Sequence, residues 1–144
     1  MENTAKTRKF LIATHGTFAA GVKSSLDIII GNEIPVFLIQ AYVDETVSVE
    51  TQINEVMAQV SETDELIIFT DILGGSITNQ ILQHALRPNV YLVSGFNLPL
   101  LIEVLMGDTE TPVEEVITDA IQNAKEQMTY VNKLLTAQKE DQDD

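Results

Sequence analysis

The sequence contains no cysteine, only two histidines and few basic residues. The absence of cysteine excludes disulfide bonds, thiol catalysis and cysteine-ligated metals. Two histidines also leave little from which to build a zinc site. Eight Lys and Arg residues stand against 22 Asp and Glu residues, for a net charge of −14. A surface of this charge repels nucleic acid and anionic membranes and would attract a basic partner protein.

Long apolar runs are absent as well. No stretch approaches the roughly 20 apolar residues that are needed to cross a bilayer. The apolar run over residues 10–13 is shorter than the roughly 7–15 residues of a secretory signal core. We therefore expect a cytoplasmic protein. With 144 residues and 44% hydrophobic content, the chain is long and apolar enough to form one folded domain.

Short apolar runs alternate with segments of helical spacing. Strands are predicted over residues 9–14, 35–39, 66–70 and 90–93. Helices are predicted over about 17–30, 46–60, 76–87, 99–106 and 112–124, with Asp44 and Thr46 as candidate caps of the second. Strands that are separated by helices imply right-handed βαβ units. The prediction is an α/β fold, a doubly wound open sheet of four parallel strands in the order 2-1-3-4, with helices on both faces.

The two ends of the chain have a different character from its centre. Met128, Val131 and Leu135 fit a helix, while residues 128–131 also fit an edge strand. Residues 138–144 are polar and acidic and are expected to fray. We predict a flexible N-terminus over 1–8, a folded domain over 9–136 and a disordered acidic tail over 137–144.

His15 and Asp71 each follow a predicted strand, and His15 is next to Gly16. In the order 2-1-3-4 these two strands are neighbours, so both side chains are expected at the sheet edge where ligands bind. Asp71 would accept a hydrogen bond from one ring nitrogen of His15 and leave the other as a nucleophile. His84 is the contrasting case: it is predicted in mid-helix, facing solvent.

Gly74, Gly75 and Ser76 form a glycine turn that opens a helix beside this pair. Free backbone N–H groups and the helix dipole favour an anion there, and the Ser76 hydroxyl could donate to a phosphoryl oxygen or cap the helix. The set of residues predicts a histidine that handles phosphate. Nothing in the sequence indicates a cofactor or a metal site.

Three segments, residues 13–16, 71–76 and 95–99, closely resemble the IIA component of the mannose family of the bacterial sugar phosphotransferase system. The resemblance implies that His15 accepts a phosphoryl group from the carrier protein HPr, on the tele nitrogen, and passes it to a IIB component. It implies that Asp71 orients the ring and that Ser76 contacts the phosphoryl group. Since the chain ends in an acidic stretch without a linker, we expect IIB to be a separate protein.

The family resemblance also implies a homodimer, in which a C-terminal strand near residues 127–133 crosses to the partner's sheet. Contact with the membrane would be indirect, through the IIC and IID components. The sugar stays open among mannose, fructose, sorbose, an amino sugar and gluconate. A related IIA-like subunit that phosphorylates a dihydroxyacetone kinase is the alternative within this class.

Three other classes of protein fit the sequence less well. A hydrolase would use Ser76, His15 and Asp71 as a triad, but the sequence lacks the Gly-x-Ser-x-Gly elbow. A receiver domain would be phosphorylated on Asp71, but it needs acidic residues after the first strand to hold Mg²⁺. A nucleotide-binding module would need a P-loop or a Gly-x-Gly-x-x-Gly fingerprint, and Gly74-Gly75 is neither.

Overall fold

A computed structural model describes residues 7–143, over which four strands alternate with helices. The strands are β1 (Arg8–His15), β2 (Val36–Ala41), β3 (Glu65–Thr70) and β4 (Val90–Ser94). The helices are α1 (Phe18–Ile30), α2 (Val49–Met57), α3 (Ser76–Ile81), α4 (Leu98–Leu105), α5 (Val113–Gln127) and α6 (Val131–Asp143).

All strand pairs are parallel, and the order is β2-β1-β3-β4. The predicted fold class and strand order are therefore confirmed. The register aligns His15 with Ala41 of β2, and Ala13 with Thr70 of β3. The last residues of β1, β2 and β3 thus reach the same edge of the sheet, and β2 and β4 carry its free sides.

The sheet is covered on both faces because the central residues of its inner strands are all apolar and buried, residues 10–13 in β1 and 66–69 in β3. In β1, Phe10 and Ile12 face one layer, whereas Leu11 and Ala13 face the other. The first layer consists of α1, α4 and α5, and the second of α2 and α3. Burial on both faces explains why the strands appear as continuous apolar runs rather than alternating ones.

Two helices are fixed by side-chain caps. The Ser48 hydroxyl accepts a hydrogen bond from the Thr51 N–H at 3.0 Å and caps α2. The prediction that Asp44 or Thr46 caps this helix is wrong, because the Asp44 carboxylate instead accepts from the N–H and hydroxyl of Thr46 in the preceding turn. Asn97 caps α4 by accepting from the N–H of Leu100 at 3.0 Å.

Helix α3 is shorter than predicted and ends at Ile81. The chain then continues in tight turns, in which the N–H groups of His84 and Arg87 bond to carbonyls three residues earlier. Pro88 contributes to the early end of the helix, since proline disfavours helical backbone in the residue before it. His84 therefore lies outside the helix. It is half-buried, and its Nε2 is buried without a hydrogen-bond partner among residues 7–143, so the prediction of a solvent-facing histidine is wrong.

The two ends of the chain also differ from expectation. Of the predicted flexible N-terminus, residues 1–6 lie outside the described residues, while Arg8 belongs to β1 and donates to the carbonyl of Asp108 at 2.8 Å. Residues 127–133 contain the end of α5 and the start of α6, rather than a strand. The predicted disordered tail, as far as Asp143, is the second half of α6. Helical i, i+3 and i+4 spacing of Val131, Leu134 and Leu135 accounts for this.

Candidate functional site

His15 is the last residue of β1, and the chain turns sharply behind it. Gly16 has a φ of +60°, in the left-handed region that favours glycine, and its N–H donates to the carbonyl of Ala41 at 2.9 Å. The buried Thr14 hydroxyl accepts from the N–H of Ala19 at 2.8 Å, which secures the first turn of α1. The backbone on both sides of His15 is therefore anchored, while its side chain is 37% exposed.

Asp71 follows β3 and holds His15 at two points. Its Oδ2 accepts from the backbone N–H of His15 at 3.0 Å. The same carboxylate lies 3.0 Å (Oδ2) and 3.2 Å (Oδ1) from the ring nitrogen Nδ1. The two residues that the sequence singled out are thus brought into direct contact, although they are 56 positions apart in the chain.

These contacts determine the chemistry of the imidazole. A carboxylate can only accept hydrogen bonds, so in the neutral imidazole Nδ1 carries the proton and Nε2 has the free lone pair. Burial raises the pKa of Asp71, but the hydrogen bonds from the backbone and ring of His15 outweigh it. The net pKa of Asp71 is below its ordinary value. The carboxylate is therefore ionised at neutral pH, and it holds the ring in one tautomer and one orientation.

The turn between β3 and α3 places glycine against the ring. Gly74 has a φ of +77°, and Gly75 is the residue that precedes α3. A Cβ on Gly75 would lie 3.5 Å from Cε1 of His15. The turn is fixed from below by the buried Thr78, whose hydroxyl lies 2.8 Å from both the Thr70 hydroxyl and the Ile72 carbonyl. This supporting role of Thr78 is not predicted by the sequence.

Ser76 begins α3, and its hydroxyl lies 2.7 Å from the hydroxyl of Tyr42. The Tyr42 ring is in turn 5.9 Å from the His15 ring, centroid to centroid. Tyr42 is the site residue that the sequence analysis missed. Its position offered a signal, because it directly follows β2 just as Asp71 follows β3. Within residues 7–143, Ser76 forms no hydrogen bond to His15, which leaves the hydrolase triad incomplete.

The third sequence motif, residues 95–99, lies at the end of β4 and has a structural role. Besides capping α4, Asn97 donates to the carbonyl of Ala124 in α5 at 3.0 Å. Phe96 stacks on Phe18 with ring centroids 5.6 Å apart. Phe18 is 51% exposed and Leu73 is 81% exposed, so apolar side chains stand on the surface of the same sheet edge.

Neither a metal cluster nor a membrane span is found among the described residues. No three His, Asp or Glu side chains in residues 7–143 are grouped so that they could hold a metal ion. None of the helices in this part of the chain combines the length and apolar character that crossing a membrane requires.

Solved structures with the same fold come from several bacteria. A structure from Klebsiella pneumoniae, described as a phosphoenolpyruvate-dependent sugar phosphotransferase system (PTS) permease, is 36% identical, with a TM-score of 0.87 over 94% of this chain and 98% of that one. A PTS IIA protein associated with the fucose utilization operon of Streptococcus pneumoniae is 28% identical, with a TM-score of 0.70 over 91% and 98%. The mannose/sorbose-specific IIA subunit from Enterococcus faecalis, at 19% identity and a TM-score of 0.75 over 85% and 93%, supports the fold alone.

The sequence itself matches a family model. The family EIIA-man, described as PTS system fructose IIA component, matches residues 9–121, which is most of the chain. This match confirms the resemblance drawn from the three short motifs. The chain belongs to the EIIA-man family of phosphotransferase-system IIA components.

Proposed function

We propose that this protein is a phosphocarrier that accepts a phosphoryl group from phospho-HPr on Nε2 of His15 and passes it to a separate IIB component. The observation that carries the proposal is the bond of Nδ1 to the Asp71 carboxylate at 3.0 Å. This bond prepares the opposite ring nitrogen, the tele position, as the nucleophile. Membership in the family supports a role in phosphoryl transfer in general.

In the first step, the lone pair on Nε2 of His15 attacks phosphorus. The bond between phosphorus and the donor's histidine nitrogen breaks, and its electron pair returns to the donor ring. In the second step the same exchange takes place with IIB as the acceptor. Nδ1 keeps its proton throughout, and its bond to Asp71 stabilises the positive charge that develops on the ring. Because one phosphorus–nitrogen bond is exchanged for another, the free-energy change of each transfer step is small and the step is reversible.

Gly74, Gly75 and Ser76 supply the surroundings for the transferred group. The first N–H groups of a helix lack partners within it and can donate to an anion. The absence of side chains at Gly74 and Gly75 keeps the backbone and the Cε1 edge of His15 open to the incoming donor. Positioning and charge neutralisation supply most of the catalysis in phosphoryl transfer.

The partners follow from this role. HPr is the donor, IIB the acceptor, and the IIC and IID components carry the contact with the membrane, which assigns the protein to the cytoplasm. Activity of the phosphotransferase kind requires no cofactor in this scheme. The matches reported above give no support to the dihydroxyacetone kinase alternative.

The test is transfer of a radiolabelled phosphoryl group from purified phospho-HPr. We expect one label per chain that is lost in acid and stable in alkali, as a phosphoimidazole is, and that passes on to IIB. A label stable in acid but lost in alkali would instead indicate an acyl phosphate on Asp71 and overturn the assignment. Absence of any label would contradict the carrier role altogether.

We further propose that the protein is a homodimer joined through its C-terminal segment. Support comes from the exposed apolar side chains of this segment, each between 49% and 77% exposed: Met128, Tyr130, Val131, Leu134 and Leu135. The free side of β4 offers a second unpaired surface. Burial of such a surface is the usual basis of a stable two-fold dimer.

Light scattering after size-exclusion chromatography tests the dimer. The unmodified chain should have twice the mass of 15.9 kDa. Leu135→Glu should shift the equilibrium toward the monomer, because burying an unpaired charge at an apolar interface is energetically unfavourable. Ile28→Glu, at an 84% exposed apolar position on α1, is the matched control and should stay dimeric. A monomeric unmodified chain would rule this arrangement out.

A further inference from the structure

Tyr42 has an unusual backbone conformation. It follows Ala41, the residue of β2 that is aligned with His15. Its φ is +68°, and within residues 7–143 no other residue except glycine has a positive φ. For a bulky aromatic residue this conformation is a strained outlier. Such strain persists only where surrounding contacts impose it, and it is concentrated at functional sites.

Burial does not explain why the chain adopts this conformation. Tyr42 is 56% exposed, so little apolar area is gained by placing it there. Its specific contacts are with the site instead. The ring is tilted by 38° against the imidazole of His15, and the hydroxyl reaches the Ser76 hydroxyl at 2.7 Å. Tyr42 therefore connects the end of β2 to the start of α3 beside the reacting histidine.

We propose that Tyr42 is a positioning residue for phosphoryl transfer at His15, acting through the Ser76 hydroxyl. Each hydroxyl has one hydrogen and can accept from another donor. When Tyr42 donates to Ser76 Oγ, the hydrogen of Ser76 is free to point at a phosphoryl oxygen on Nε2 of His15. A hydrogen bond to that charged oxygen then polarises both hydroxyls, which strengthens the pair. Tyr42 makes and breaks no covalent bond in this scheme.

The inference rests on the proposed function, since it assumes a phosphoryl group at Nε2. It goes further by assigning a third strand end, that of β2, to the transfer step. From the sequence alone, the Ser76 hydroxyl could either cap α3 or donate to a phosphoryl oxygen. In this scheme its hydrogen points at the phosphoryl oxygen. Ser76 does not cap α3 with its side chain, and the residue that precedes the helix is Gly75.

The test uses the full chain and two donors, phospho-HPr and phosphoramidate. With the small donor, the phosphorus–nitrogen bond of phosphoramidate breaks, ammonia leaves and the bond to Nε2 forms, so protein docking is not involved. The variants are Tyr42→Phe, Ser76→Ala and the double variant. Tyr91→Phe is the matched control, because Tyr91 lies near the beginning of β4, at the opposite end of the sheet.

We expect Tyr42→Phe to slow phosphorylation of His15 by about 5- to 30-fold with either donor, the loss typical of one hydrogen bond in a charged network. The double variant should be no more than about twofold slower than Ser76→Ala alone, because the two residues act as one unit. The ³¹P resonance of the phosphohistidine should shift in Tyr42→Phe and stay in place in Tyr91→Phe. A purely structural role would not move this resonance.

Two results would overturn the inference while leaving the carrier role intact. One is a Tyr42→Phe protein that is phosphorylated within twofold of the unmodified rate. The other is a double variant whose loss is the product of the two single losses. If neither donor phosphorylates His15 in the unmodified protein, the proposed function fails and this inference fails with it.

Discussion

The two histidines of this protein are both half-buried, yet the groups that surround their rings differ. His15 ends a strand, and its Nδ1 is held by the Asp71 carboxylate at 3.0 Å. His84 lies in the turns after α3, where its Nε2 is buried and has no hydrogen-bond partner in the described part of the chain. Burial lowers the pKa of His84, the nearby Arg87 lowers it further, and Glu50 opposes both. The hydrogen-bond partner of the ring, rather than the degree of burial, therefore distinguishes the two histidines.

The largest expected effect is the difference in phosphate uptake between variants that lack one or the other imidazole ring. His15→Ala should abolish uptake of phosphate from phospho-HPr, because within residues 7–143 the ring of the other histidine, His84, is not hydrogen-bonded to a carboxylate. His84→Ala should take up phosphate at the unmodified rate. Quantitative labelling of both variants, with circular dichroism to show that each is folded, measures the difference. Persistent labelling of His15→Ala would remove the distinction between the two histidines.

The second-largest effect is expected when the carboxylate that fixes the tautomer of His15 is replaced by an amide. Asp71→Asn keeps the size of the side chain but loses the charge, and we expect transfer to slow by about 100-fold or more, as in other histidines that lose an orienting carboxylate. Asp64→Asn is the matched control: Asp64 is likewise a paired carboxylate, bonded to Lys9 at 2.8 Å, but it precedes β3 and so lies at the other end of that strand. Stopped-flow transfer rates at neutral pH decide the matter.

The pH profile sharpens this prediction. Since the pKa of Asp71 lies below its ordinary value, its carboxylate stays charged until the pH falls below the usual carboxyl range. Loss of transfer through protonation of Asp71 should therefore begin only under more acidic conditions than for an ordinary aspartate. Loss of the Asp71 effect already near neutral pH would contradict the geometry.

The sequence predicted the part of this site that depends on strand ends. Apolar runs that are buried on both faces predicted the four strands and their order, and the order brought His15 and Asp71 together. Parallel strands in such a sheet end at a common edge, so the residue that follows each strand could be placed without coordinates.

The features that the sequence did not predict depend on local backbone geometry. The left-handed φ of Tyr42 has no sequence signal, because such positions are normally filled by glycine or asparagine. The orientation of His84 depends on the residue at which α3 ends, and tight turns moved that end to Ile81. Met128, Val131 and Leu135 fit a helix, while residues 128–131 also fit an edge strand, and the sequence pattern alone does not decide between the two.

A moderate loss of transfer rate is expected when a side chain is placed against the ring of His15. A Cβ at Gly75 would make ordinary contacts of 3.4–3.5 Å with the Ile72 carbonyl and with Cε1 of His15. Gly75→Ala should therefore fold normally, with a free energy of unfolding within about 1 kcal/mol of the original. It should slow transfer several-fold, by covering the edge of the ring.

Gly74→Ala is the matched variant for this test. No atom would crowd a Cβ there, but the φ of +77° strains any side chain, and we expect a loss of about 1–2 kcal/mol in stability. Transfer rates of both variants measure the effect of crowding the ring, and urea unfolding of both measures the effect of backbone strain on stability. Equal rates for Gly75→Ala and the unmodified protein would show that the ring edge needs no open approach.

The smallest expected effect concerns His84 and the stability of the fold. Because its pKa is lowered in the folded state, the unfolded chain binds a proton first as the pH falls below about 6.5, and stability is lost from there toward the folded pKa. His84→Gln should reduce this loss between about pH 7 and pH 5, while above about pH 7.5 the two proteins should have parallel profiles. Urea unfolding across this range, with the NMR titration of His84, measures both. An identical acid slope in the two proteins would mean that the buried Nε2 accepts its proton as readily as in the unfolded chain, and that the fold does not hold His84 neutral.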